Sequence, residues 1–175
     1  MSQRWPMIAL AYFAIAAWLT WPAILSPTDL VPGAERTDLW NSLWSFWWAG
    51  QGEGNGVLNL RNEWLDHPNG GLLMVADPVG VPLMRVLQMW LPVSTSYTCL
   101  ILFRITMSGL IAHAFCEELL RTRNQAVPVW GGAAWVAGTG YMTAPILLSA
   151  VHNGASEAVS GGWVVLSVWL VWRAM

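Results

Sequence analysis

Five side chains in this sequence have the type and the setting to do chemistry: Asp38, Arg85, Arg104, His152 and Glu157. Asp38 stands just ahead of a helix-forming stretch, where a carboxylate complements exposed amides and the helix dipole. The same carboxylate could serve as a general base or orient an acceptor hydroxyl. His152-Asn153-Gly154, with Glu157 close behind, forms a short polar turn between two apolar segments. A histidine beside Asn-Gly is more often a turn residue than a ligand, and it gains interest here only from its position relative to Asp38. Arg104 is different, because it lies inside an apolar run, roughly 12 Å along it by helix rise. An ionisable group there is costly and normally faces a cavity, a partner or a charged ligand. A lipid phosphate or an acid such as Glu157 would suit it. Arg85 lies off the apolar face that Leu83, Leu87, Trp90 and Leu91 share.

What must position these groups is set by composition. Of 175 residues, 55% are hydrophobic and only 10% are charged, against about 25% charged in an ordinary soluble domain. Lysine is absent, all eight basic residues are arginine, and tryptophan occurs 14 times. That balance speaks against a disordered chain, a nucleic-acid-binding domain, a disulfide-stapled secreted domain and a soluble enzyme. Nucleic acid is therefore not an expected partner. Membrane lipids are, with many indole rings at the headgroup boundary.

The pattern predicts an all-α membrane protein with about four transmembrane helices, forming a single domain over 1–175. The spans fall at about 5–25, 97–116, 125–151 and 158–174, since a bilayer core needs about 20 apolar residues. The first is too long for a cleaved signal sequence and reads as a signal-anchor. Arg4, Arg121, Arg123 and Arg173 share one side if the spans alternate. The positive-inside rule then makes the N-terminus cytoplasmic and puts the loop 26–96 outside, in a cell inner or plasma membrane. Asp38 and the His152 turn lie on that same outer side. Cys99 and Cys116, 17 residues apart on one span, would lie about 25 Å from each other, beyond disulfide reach.

The outer loop is expected to carry two interfacial amphipathic helices. After Thr37-Asp38, either a good N-cap, Trp40, Leu43, Trp44, Trp47 and Trp48 recur at helical spacing. Between Pro82 and Pro92, Leu83, Leu87, Trp90 and Leu91 share a face. Glu117 and Glu118, beside Arg121 and Arg123, read as a solvated cytoplasmic helix end. No phosphate-binding loop, nucleophile elbow or zinc motif is present. Asp66-His67 with another carboxylate could bind a divalent cation, but the spacing matches no metal motif and a turn is the better reading. The cofactor is thus unknown from sequence, with a divalent cation as the one candidate.

This arrangement resembles the N-terminal part of GT-C membrane glycosyltransferases, which include the protein mannosyltransferases. The resemblance rests on Arg36-Thr37-Asp38-Leu39-Trp40-Asn41 after the first span, and on His152-Asn153-Gly154 followed by Trp163. It implies glycosyl transfer from a polyprenyl-phosphate sugar at the outer membrane face, with the lipid-linked donor as partner. It makes Asp38 the catalytic acid-base residue, gives Arg104 or Arg85 the charge on the departing lipid phosphate, and places His152 and Glu157 on the acceptor side, with room for a divalent cation. On this reading the chain is expected to be a fragment or incomplete module of a longer enzyme. The alternatives are a non-catalytic small membrane subunit that docks into a larger complex with other membrane subunits, and a transporter fragment with Arg104 lining a pathway.

Overall fold

The computed structural model describes residues 4–50, 61–62, 69, 71–72, 77–123 and 132–175. Among the described residues the regular structure is helical apart from one two-residue antiparallel pairing, Arg61–Asn62 with Gly71–Leu72. Seven α-helices follow in order: α1 (Arg4–Leu19), α2 (Leu39–Gly50), α3 (Gly80–Leu87), α4 (Val93–Thr122), α5 (Gly132–Met142), α6 (Pro145–Asn153) and α7 (Gly162–Ala174).

α4 is the centre of the bundle, and α1, α2, α3, α5 and α7 all pack on it. Its 30 residues correspond to about 45 Å. α1 presents Ile8, Tyr12 and Ala16 to it, one residue per turn. Close approach depends on missing side chains. A Cβ on Gly109 would sit 2.9 Å from the Tyr12 ring and 3.0 Å from Met142 Sδ, and one on Gly138 would overlap the Tyr12 hydroxyl. Small residues at such crossings let helices close on one another. Tyr12 in turn stacks on Trp135 at 4.9 Å.

Two helical stretches are long and apolar enough to cross a membrane: α4, and the α5–α6 stretch Gly132–Asn153. The two outer segments expected to span are shorter. The 5–25 stretch is helical only to Leu19, after which the backbone turns repeatedly up to Thr28-Asp29. Pro22 offers no amide to continue the ladder, and Thr20 Oγ1 donates back to the Ala16 carbonyl at 2.9 Å. The final segment holds one 3-10 turn, Ala158–Ser160, and the 13-residue α7, separated at Gly161. The third predicted span breaks before Pro145, and its residues 125–131 lie outside the described chain. α4 outruns its expected 97–116 limits at both ends.

Both loop helices exist, rotated relative to the expected faces. α2 buries Leu39, Leu43, Ser45, Phe46 and Trp48, Trp44 and Trp47 are half-buried, and Trp40 is exposed. The buried stripe thus shares Leu43 and Trp48 with the expected face and takes in Leu39, Ser45 and Phe46 in place of Trp40. α3 buries Val81 and Met84 and leaves Leu83 outward.

One end of the bundle collects charge. Arg4 Nη2 donates to Glu117 Oε2 at 2.9 Å, and Arg121 reaches the same oxygen at 3.2 Å. Arg173 pairs with Glu118 at 3.0 Å, and Trp169 Nε1 donates to Glu118 at 3.1 Å. The expected solvated end is therefore corrected at Glu117, which is 2% exposed because Arg4 and Arg121 close over it. His113 lies one turn before it, hydrogen-bonded to the Tyr12 hydroxyl at 2.9 Å.

Candidate functional site

The opposite end is organised around Gly154. It ends α6 in a left-handed conformation, φ 67°, which glycine adopts without penalty. It is also pressed against Leu39: any Cβ here would overlap the Leu39 backbone. The Gly154 carbonyl accepts hydrogen bonds from Ser42 Oγ at 2.8 Å and from the Tyr97 hydroxyl at 3.3 Å. Ala34 N donates to the His152 carbonyl at 2.8 Å. The start of α2, the end of α6 and the first turns of α4 are thus pinned together.

This brings Asp38 to the His152 turn. Asp38 occupies the N-cap position of α2, and its carbonyl accepts from Ser42 N at 2.9 Å. Its carboxylate does not cap the helix, however. The Leu39 amide bonds the Thr37 hydroxyl instead, at 3.4 Å, and the Asp38 side chain is exposed with no hydrogen bond among the described residues. Arg36, two residues earlier, holds a left-handed backbone at φ 61°. That is uncommon for a side chain of this kind and costs on the order of 1 kcal/mol. His152 and Glu157 are exposed as well.

A small polar cleft opens between α2 and the 156–157 turn, lined by Asn41, Ser42, Ser45, Phe46, Asp77, Ser156 and Glu157. At its floor lies the strongest polar network in the described chain. The Arg104 guanidinium clamps the Asp77 carboxylate with both terminal nitrogens, the Nη2–Oδ1 distance being 2.9 Å. Arg104 Nη1 also donates to the Ser156 carbonyl at 2.6 Å, and Ser156 Oγ donates to Asp77 at 2.8 Å. Gly80 N completes the set, donating to Asp77 Oδ1 at 2.7 Å. Burial alone would push the Asp77 carboxyl up, but Arg104, Ser156 and Gly80 together hold it below the ordinary carboxylate range.

The partner of Arg104 is therefore Asp77, not Glu157. A bidentate arginine–carboxylate pair carries no net charge, so Arg104 acts here by positioning the Ser156 turn. Arg85 is partly exposed on the last turn of α3 and does not line the cleft. Asp77 and Ser156 are the residues that sequence reasoning missed. The signal for Asp77 was present, since Asp77-Pro78 has the pattern of an N-cap followed by proline at the first helical position. Ser156 carries no comparable signal. Among the described residues no group of three metal-ligating side chains occurs, and Asp66-His67 lies outside them. No protein-family model, curated protein or solved structure matches this chain.

Proposed function

We propose that the chain is a GT-C-like membrane glycosyltransferase module, with four membrane-crossing segments and α2 and α3 at the outer interface. The Leu39–Gly154 contact carries this reading, because it sets Asp38 and the His152 turn beside each other at one end of the bundle. In this reading a polyprenyl-phosphate sugar is the donor, Asp38 takes the proton from the acceptor hydroxyl, and His152 and Glu157 face the acceptor. The arginine-gathered end around Glu117 is the cytoplasmic one. The cleft over Asp77 measures about 10 Å³, room for about one water. Sugar transfer therefore takes place on the open rim outside it, where Asp38 is exposed. Arg104 serves as a positioning residue, and in this reading Arg85 contacts the donor phosphate.

The test is transfer of radiolabelled sugar from a polyprenyl-phosphate donor by the full chain in membranes. Asp38→Asn should lower turnover by at least about 100-fold with expression unchanged, and unaltered turnover would overturn the assignment. A second reading, a non-catalytic subunit, is favoured by the apolar side chains that α1 and α7 turn outward, among them Leu10, Trp18, Trp163 and Val171. It predicts no Asp38-dependent transfer and stable association with another membrane protein.

A further inference from the structure

A second cavity, of about 280 Å³, lies between α3, α4 and α7, with Arg104 in its lining. Its walls are apolar, made by Val79, Leu83, Phe103, Met107, Trp163 and Leu166. Its polar lining comes from Arg104, Ser108 and Ser160. The volume sits at the small end of ligand sites, which run from about 300 to 1,000 Å³.

Three observations define what this polar lining can bind. The Ser160 hydroxyl oxygen is buried and has no hydrogen-bond partner among the described residues, an arrangement that costs free energy unless a ligand supplies one. Ser108 Oγ is already engaged, accepting from Gly162 N at 3.0 Å. Arg104 has five N–H groups. Three are bound by Asp77 and the Ser156 carbonyl, which leaves two donors without an acceptor among the described residues, on a guanidinium whose charge Asp77 already balances. An anionic head would meet the Asp77 carboxylate just behind Arg104 and would be desolvated without a countercharge. A hydroxyl or carbonyl oxygen needs no countercharge, and it can accept from Arg104 while exchanging a hydrogen bond with Ser160.

We propose that this cavity binds a neutral amphiphile, an apolar chain ending in a hydroxyl or an ester carbonyl, with its head at Ser160 and Arg104 and its tail along Leu83, Met107 and Leu166. The site requires membrane embedding but not glycosyl transfer, so it stands or falls apart from Asp38. The test uses the full chain in nanodiscs with two photoactivatable probes of equal chain length, a monoacylglycerol and a lysophosphatidic acid, each with a diazirine in the tail. The monoacylglycerol should label peptides containing Phe103–Ile111 and Trp163–Leu166 at least about tenfold more than the phosphate-headed probe. Ser160→Ala should lower that labelling about fivefold, the worth of one hydrogen bond. Leu83→Trp, which fills the cavity from its exposed edge, should abolish it while labelling on α1 persists. Equal labelling by both probes, labelling spread evenly over α1 and α7, insensitivity to both substitutions, or recovery of a protein segment in place of lipid would each overturn the proposal.

Discussion

Arg4 Nη2 lies 2.9 Å from Glu117 Oε2, so the first turn of α1 is tied to α4 across 113 positions of sequence. The carboxylate is almost fully buried, while Arg4 and Arg121 remain in part exposed. Glu117→Gln should therefore destabilise the bundle by about 2 kcal/mol, below the full cost of breaking a wholly buried pair. Thermal unfolding in detergent checks this, and a shift in melting temperature indistinguishable from that of Glu118→Gln would contradict it.

Gly154→Ala should be among the most damaging single changes. It combines a left-handed backbone with an overlap against Leu39, and we expect a loss of more than about 2 kcal/mol. Proteolysis should then open first at the start of α2. Gly140→Ala, where a new methyl group meets nothing within 4 Å, is the matched control and should be neutral or mildly stabilising.

The Asp77–Arg104 pair fixes the sign of an acid response. The Asp77 carboxyl is held below its ordinary range, so its contribution is fully present above the unfolded value of about 3.9. That stability is lost as pH falls from there through the lower folded value. Denaturation followed from pH 6 downward should show this loss. The double change Asp77→Asn with Arg104→Gln should remove it and should cost less than either single change, because a lone member of the pair is left buried without its partner.

Arg104→Lys keeps the charge and loses the fork. An ammonium cannot clamp both Asp77 oxygens and also reach the Ser156 carbonyl, so we expect about 1–2 kcal/mol of destabilisation. Hydrogen exchange should rise at the 154–160 turns before it rises in the middle of α4. Uniform protection would show that Arg104 does not hold those turns.

Much of the fold is legible in the sequence, because hydrophobic runs and helix signals are local. The run of apolar residues around Arg104 locates α4, and the spacing from Leu39 to Trp48 locates α2. The placement of arginines also anticipates the cluster of Arg4, Arg121 and Arg173 around Glu117 and Glu118. The faces were harder to read. Trp40 and Leu39 both fit an amphipathic pattern, and only packing against Gly154 decides that Leu39 goes inward. The partner of Arg104 was not readable at all. Asp77 and Ser156 come from segments 79 positions apart, and nothing local to either says that they meet at one guanidinium.

The unequal lengths of the helices have a mechanical consequence for a lipid bilayer. Next to a hydrocarbon core of about 30 Å, α4 at 30 residues is too tall unless it tilts. α1 at 16 residues and α7 at 13 span only about 24 and 20 Å, and are too short. Such a body has no single hydrophobic height. If α1 and α7 cross the bilayer as proposed, the surrounding leaflets thin beside them while α4 leans, and the chain should partition into thin membranes in preference to thick ones.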